Sequence, residues 1–204
     1  MNLPNIPKQK NYEISKERAL KALSSFSLDE LSRKTGGIIK DNFLFFKFFK
    51  WDVSFNYEEK NLILPDNIKS PSTENLILHY IAYSNGETPK DNWINFYQIK
   101  DATLYLPVFN KRTVGIINKA VKDFESLQKK CLALGGERYN FTSSAIAYKF
   151  FAFPLVPILI IYYEGDEDIP SELKFMFDSS VIKNLSAEDV VVASQFLSLQ
   201  FFKI

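Results

Sequence analysis

The sequence predicts an α+β fold in which two antiparallel sheets, an N-terminal meander and a C-terminal three-stranded unit, pack with several helices around a single core. Helix and strand patterns lie in separate blocks and do not alternate as β–α–β units. No repeat of fixed period is present, which excludes solenoids and propellers. Of 204 residues, 46% are hydrophobic and 19 are Phe, so we expect an aromatic-rich core.

The first block is helical over residues 15–34, where apolar residues recur at three- and four-residue spacing. A break near Ser24 and Ser25 divides it into two short helices, and Gly36 and Gly37 should end it. Residues 36–65 are rich in aromatic and β-branched residues with turn signals at 41–42 and 57–60, which predicts a meander of three or four strands. The alternation slips at residues 47–51, which indicates a bulge or a tight turn.

The middle of the chain is predicted to be mainly helical. Ser70 followed by Pro71 is a helix start, and the apolar face continues to Asn85. Residues 93–99 look like a strand or an extended segment. A second helical pattern covers residues 113–134 and should end at the glycine pair 135–136.

The last block predicts three strands at 145–153, 157–163 and 173–177, followed by a helix from about Ser186. The apolar run at 150–163 is 14 residues long and is broken by Pro154 and Pro157. It is therefore shorter than the roughly 20 residues that span a bilayer, and no membrane association is expected. The length fits one domain over residues 1–204, or a compact domain with residues 1–35 as an N-terminal helical arm.

Composition restricts the possible partners. The 25 basic and 24 acidic residues nearly balance, so no field is present to attract nucleic acid. The N-terminal residues lack the apolar segment of a secretory signal, so the cytoplasm is the expected location. Because Cys131 is the only cysteine, the chain alone cannot form an internal disulfide, a thiolate zinc site or an iron–sulfur cluster. No glycine-rich nucleotide loop is present.

An acidic turn follows the second of the three predicted C-terminal strands, at residues 164–168. Its residues Asp166 and Glu167 belong to the segment EGDED, and carboxylates are the ligands of hard cations such as Mg²⁺ or Ca²⁺. The spacing does not match an EF-hand, however, and charges in a turn also end an apolar run and discourage edge-to-edge pairing. We favour this structural interpretation. The sequence does not identify a cofactor.

Four further positions have a functional and a structural interpretation. Asp178 precedes two serines but is a weak base, so helix capping is favoured. His79 is the only histidine, so a Ser-His-Asp triad is possible only through it, although no nucleophile-elbow motif is present. Ser186, Glu188 and Asp189 resemble a capping box at the start of the last helix. For His79 and Cys131 we favour the structural roles of a core or boundary group and a buried thiol.

Several motifs occur in an order that resembles one known family. They start at Leu78-His79-Tyr80-Ile81 and continue with Trp93-Ile94-Asn95-Phe96, Leu134-Gly135-Gly136, Phe153-Pro154 with Pro157, the turn from Gly165 to Pro170, Phe177-Asp178-Ser179-Ser180 and Leu185-Ser186-Ala187-Glu188-Asp189. The chain resembles domain of unknown function 3786, found mostly in anaerobic bacteria and archaea. It departs at Tyr163, where the family often has Trp, at Tyr97-Gln98, where it often has Arg-Glu, and at Ser186, where it often has Pro.

The resemblance implies no catalytic residues, because the family has no established activity. Some relatives are fused to an iron–sulfur domain, which implies anaerobic redox or one-carbon metabolism. The family motifs also fall on acidic segments. The resemblance therefore strengthens the case for a functional role of five acidic residues, Asp166, Glu167, Asp178, Glu188 and Asp189.

Two functional hypotheses follow, and the sequence leaves open whether the protein is an enzyme. The first is a non-catalytic module that binds a small molecule or a partner protein in an aromatic groove near Trp93, Phe96 and Tyr163, with the acidic residues at its rim. The second is an enzyme that uses a Mg²⁺- or Ca²⁺-like cation held by Asp166, Glu167 and Asp178, or by Asp189 in place of Asp178. The second requires these carboxylates to meet in space.

Overall fold

The computed structural model describes residues 7–121, 123–143, 145–165, 167–168 and 170–204, with only the backbone at residues 7–10. The predicted α+β class is confirmed. In chain order the regular elements are α1 (Pro7–Leu23), α2 (Leu28–Thr35), β1 (Ile38–Lys40), β2 (Phe43–Phe48), β3 (Trp51–Asn56), β4 (Asn61–Ile63), α3 (Pro71–Tyr83), β5 (Trp93–Asn95), α4 (Leu106–Arg112), α5 (Val114–Ala120), α6 (Phe124–Ala133), β6 (Glu137–Thr142), β7 (Ala145–Phe153), β8 (Val156–Tyr163), β9 (Glu172–Asp178), α7 (Val181–Asn184) and α8 (Ala187–Gln200).

The N-terminal half follows the predicted order. The helical block divides after Leu23, and Ser27 caps α2 through a capping box with Glu30. Strands β1 to β4 form the predicted antiparallel meander. The slip in alternation is a tight turn, because Phe49, with φ of 52°, adopts the left-handed conformation between paired Phe48 and Trp51.

The second sheet is wider than the three predicted strands. Those three are β7, β8 and β9, and two more strands extend the sheet to the order β5-β9-β8-β7-β6, with every pair antiparallel. Strand β6 has the sequence ERYNFT and is mostly exposed. Its polar composition lacks the apolar pattern of a strand, so the sequence did not predict it. The segment at 93–99 forms β5 and then a 3-10 turn.

One predicted helix is wrong. The pattern over residues 113–134 is not continuous, because α5 ends at Ala120, Val121 is extended, and α6 starts anew at Phe124. Asp123 causes the restart, since its carboxylate accepts a hydrogen bond from the Ser126 amide at 2.8 Å as an N-cap. Helix α4 was not predicted. The apolar run at 150–163 lies in β7 and β8, and none of the described helices is long and apolar enough to cross a membrane.

A core of buried apolar residues joins the two sheets and the helices, and the predicted aromatic character is confirmed. Phe153 of β7 stacks on Tyr80 of α3 with ring centroids 4.0 Å apart and also meets Phe48 of β2 at 5.2 Å. Helix α8 packs against α3, α4 and α5, and α1 packs against α3. Side chains of α1, α3, α4 and α8 therefore surround one region at this end of the molecule.

The outer face of the five-stranded sheet is strongly curved. Trp93 lies on one edge strand and Tyr139 on the other, which in a flat sheet are about 19 Å apart at the usual strand spacing. The indole Nε1 nonetheless donates a hydrogen bond to the Tyr139 hydroxyl at 3.0 Å. The sheet therefore coils until its edges approach, which buries Leu159 and Ile161 of the central strand beneath the two rings.

Candidate functional site

The three aromatic residues of the predicted groove do not lie together. Trp93 and Tyr163 are half-buried and belong to the small cluster on the outer face of the curved sheet. Phe96 instead lies in the main core, 3% exposed, and stacks on Phe109 with centroids 4.1 Å apart. It is separated from the other two because Phe96 starts the 3-10 turn after β5, where the chain leaves the alternation of the strand.

The buried carboxylate of Asp178 is fully engaged with the backbone. Its oxygens accept hydrogen bonds from the Lys90 amide at 3.0 and 3.1 Å and from the Ser180 amide at 2.9 Å. Asp178 therefore has a structural role, but it is not the predicted helix cap, because the N-cap of α7 is Ser180 and that helix has no side-chain cap. Asp178 instead holds the chain that leads into α7 through the Ser180 amide, and it also fixes the loop before β5. The contact with Lys90 joins residues 88 positions apart and was not predictable from local sequence.

Among the described residues, the other acidic side chains of the predicted cation site form no metal-binding group with Asp178. Glu167 is exposed in the turn after β8, and Asp166 lies outside the described residues. Within the described ranges, no group of three or more His, Cys, Asp or Glu side chains could hold a metal ion. Cys131 is 0% exposed, and burial raises the pKa of its thiol, which agrees with the interpretation as a buried thiol.

Asp189 occupies the predicted capping position but has a second role. Ser186 is the N-cap of α8, and its hydroxyl accepts the Asp189 amide at 3.1 Å. The Asp189 carboxylate does not complete a capping box by returning to the backbone. Instead its Oδ2 accepts the Ser186 hydroxyl at 2.6 Å, while its Oδ1 lies 2.8 Å from Nδ1 of His79.

His79 is the centre of a line of hydrogen-bonded side chains. Its Nδ1 faces Asp189, and its Nε2 lies 2.7 Å from the hydroxyl oxygen of Ser15. Burial alone lowers the pKa of His79, but the hydrogen bond to Asp189 and the charges of Asp189 and Glu188 outweigh it, so that the pKa is raised above its ordinary value. Asp189 also fixes the tautomer, because Nδ1 must carry a hydrogen to donate to the carboxylate.

The histidine faces a cavity of about 430 Å³ at the meeting of four helices. We call it the His79 pocket; its walls are Asn11, Tyr12 and Ser15 of α1, Ser72, Asn75, Leu76 and His79 of α3, Arg112 of α4, and Glu188, Asp189 and Val192 of α8. On α3, the spacing of residues 72, 75 and 79 places all three on one face of the helix. The pocket is therefore built by tertiary packing of segments distant in the chain.

Two polar groups in the pocket lack partners among the described residues. The Asn75 side chain donates through Nδ2 to the Tyr12 carbonyl at 2.9 Å, but its buried Oδ1 accepts no hydrogen bond there. The exposed guanidinium of Arg112 makes no ion pair in the same described part of the chain. Glu188, by contrast, interacts with Tyr105, whose phenol pKa it raises through its charge.

The structure thus brings two of the sequence candidates, Glu188 and Asp189, together with His79. The candidates Trp93, Phe96, Tyr163 and Asp178 do not line this pocket. Ser15 and Arg112 were not predicted. Ser15 is 64 positions from His79 and lies in the middle of a helix whose sequence has no motif. The only signal in the sequence was the single histidine, which limited any triad to His79.

Comparison with known proteins gives a family and no function. The profile of the family described as "Domain of unknown function (DUF3786)" matches residues 27–200, which include His79 and Asp189 and follow Ser15. No curated protein and no solved structure matches this chain. Since the match covers most of the chain and includes all nine strands of the described residues, the protein belongs to the DUF3786 family.

Proposed function

We propose that this chain binds a small anionic molecule in the His79 pocket and that the His79–Asp189 pair exchanges a proton with it. The observation that carries the proposal is the hydrogen bond of 2.8 Å between His79 Nδ1 and Asp189 Oδ1 at the wall of a cavity. A histidine oriented by a carboxylate is a common acid–base arrangement, because the carboxylate holds the ring and stabilises its protonated form.

The charge of the ligand follows from the groups that remain unpaired in the pocket. The Asp189 carboxylate is occupied by His79 and Ser186, and Glu188 interacts with Tyr105. Arg112 is the charged side chain that remains, and a guanidinium is well suited to a carboxylate or phosphate. The free Oδ1 of Asn75 favours a ligand that also carries an N–H or O–H donor, since an unsatisfied buried acceptor is costly.

This proposal retains the small-ligand hypothesis but moves its location. The polar His79 pocket replaces the aromatic groove, since Phe96 is in the core, and keeps Glu188 and Asp189 from the sequence prediction. A cavity of about 430 Å³ is in the size range of small-molecule sites, which favours a small ligand over a partner protein. The alternative hypothesis of a cation-dependent enzyme has no support among the described residues, because their carboxylates form no cluster that could hold a metal ion.

The single histidine makes the test specific. In protein without a histidine tag, the imidazole NMR signals report on residue 79 alone. We expect one or more members of a panel of small carboxylates and phosphates to shift these signals and to raise the melting temperature, since a ligand that binds only the folded state stabilises it. Arg112→Gln should weaken this binding at least about tenfold, because it removes a charge-assisted contact.

Arg33→Gln is a matched control, because Arg33 is exposed on α2 and lies outside the pocket. It should leave the response unchanged. The proposal is refuted if no ligand of either class moves the His79 signals, or if Arg33→Gln and Arg112→Gln weaken binding equally.

A further inference from the structure

The hydroxyl group of Ser15 completes a hydrogen-bonded line of Ser15, His79 and Asp189. A site that only binds a ligand does not require such a line. The Ser15 oxygen lies 2.7 Å from His79 Nε2, and His79 Nδ1 lies 2.8 Å from Asp189. These three side chains come from α1, α3 and α8. Both distances fall within the range expected for a nucleophile, its base and the group that orients the base.

We infer that Ser15 is a nucleophile and that the protein transfers the acyl group of a small ester or amide with an anionic substituent. This inference rests on the proposed function of the His79 pocket, whose Arg112 would bind the anionic substituent. The tautomer fixed by Asp189 leaves Nε2 free to accept the Ser15 proton, which is the requirement for activating a hydroxyl group.

The reaction is balanced without a further reactant except water. The Ser15 oxygen bonds to the carbonyl carbon while its proton passes to His79 Nε2. The bond from the carbonyl carbon to the leaving group then breaks, and the leaving alcohol or amine takes that proton. Water attacks the acyl-Ser15 carbonyl with His79 as base, which releases the acid and restores the hydroxyl group.

The neighbourhood of Ser15 supports this assignment over a role in packing alone. Ser15 is half-buried and lines the His79 pocket, so that a ligand in the cavity can reach its oxygen. Helix α1 is held against α3 near this point by a second contact, since the Asn75 amide donates to the Tyr12 carbonyl at 2.9 Å. The hydroxyl is therefore positioned by the packing of α1 against α3.

A fluorophosphonate probe tests the assignment directly. Such a probe phosphonylates an activated serine with loss of fluoride, and ordinary serines react far more slowly. We expect intact-mass analysis to show one adduct on the full chain and peptide mapping to locate it at Ser15. Ser15→Ala should abolish the adduct. Ser25→Ala, an exposed serine outside the pocket, should not change it.

The roles of His79 and Asp189 have separate readouts. His79→Gln and Asp189→Asn should each slow labelling about 10²- to 10⁴-fold. In wild type the labelling rate should rise with pH as His79 loses its proton. The midpoint should lie above the ordinary histidine value, because the net effect of its surroundings is to raise the pKa of His79. Asp189→Asn should move that midpoint to lower pH, which a packing role would not do.

Ser15→Cys covers the case in which the histidine variants fail to fold. Because Cys131 is buried, alkylation of native protein reports on the introduced thiol. We expect its alkylation by iodoacetamide to be faster at neutral pH than that of the thiol introduced by Ser25→Cys, since His79 stabilises a nearby thiolate.

Labelling at another serine, no labelling at all, or equal alkylation of the two introduced thiols would overturn the assignment. If His79 signals still respond to small anions in that case, the binding function stands and only the nucleophile is refuted. If they do not respond, both proposals fail.

Discussion

Replacing Asp178 by Ala tests the structural role of a buried acidic side chain from the predicted cation site. The carboxylate is 0% exposed and accepts three hydrogen bonds from two backbone amides, those of Lys90 and Ser180. The substitution removes both acceptor oxygens and leaves the two amides without a partner. The fold should survive, since the core of aromatic residues is not touched.

The expected loss follows from those contacts. An unsatisfied buried donor costs about 1–3 kcal/mol. The Ser180 amide is buried, whereas Lys90 is in an exposed segment where water can replace part of the lost contact. We therefore expect the free energy of unfolding to fall by about 2–4 kcal/mol. Asp178→Asn keeps one acceptor oxygen and should lie between Asp178→Ala and wild type.

Urea denaturation followed by tryptophan fluorescence measures this loss. Trp93 pairs directly with residue 178 across β5 and β9, so its emission reports on the affected region. Asp52→Ala is the surface control, because the Asp52 side chain is 87% exposed and its ion pair with Lys47 should contribute less than about 1 kcal/mol.

A loss below about 0.5 kcal/mol for Asp178→Ala would refute the hydrogen-bonding account. The same variants also test the cation hypothesis. If the backbone amides are the partners of Asp178, adding Mg²⁺ or Ca²⁺ should not change the difference in the free energy of unfolding between wild type and Asp178→Ala. A cation site would instead make wild type more stable in Mg²⁺ or Ca²⁺ and abolish that gain in the variant.

Three further predictions concern other contacts. His79→Gln should lower the free energy of unfolding most below pH 6.5 and progressively less as the pH rises. The reason is that the pKa of His79 is raised in the folded state, so its contact with Asp189 stabilises the fold only while the imidazole is protonated. Urea unfolding of wild type and variant at about pH 6 and about pH 9 measures this change. Gly136→Ala would place a methyl group 2.5 Å from the buried Phe150 ring and should lower the free energy of unfolding by about 1–3 kcal/mol, measured in urea. Tyr139→Phe should lower it by about 0.5–1.5 kcal/mol through loss of the Trp93 hydrogen bond, measured in the same way.

Local sequence signals located most of the regular elements because their causes are local. Ser27, Ser70 and Ser186 cap α2, α3 and α8 by bonding to amides three residues later, as such sequences favour. The prediction of one helix over residues 113–134 failed because Asp123 acts as an N-cap and starts a new helix inside that range. Strand β6 was missed because this edge strand is too polar to show a strand pattern.

The candidate site was predicted only in part for a different reason. Glu188 and Asp189 were selected because acidic residues recur in the family motifs, but their local interpretation was a helix cap. The contact of Asp189 with His79 joins residues 110 positions apart, and the contact of Ser15 with His79 joins residues 64 apart. Single-sequence patterns report on neighbours within a few positions, so they carry no information on such pairs.

The sequence by itself determined the α+β class, the aromatic core and the fact that any triad must use the single histidine. These depend on composition and on short periodic patterns, which one chain displays in full. Only tertiary structure decided that Phe96 lies in the main core, away from Trp93 and Tyr163. It also decided that Asp178 accepts hydrogen bonds from backbone amides and that four helices line the pocket of His79. The physical reason is that packing a shared core fixes which distant side chains meet.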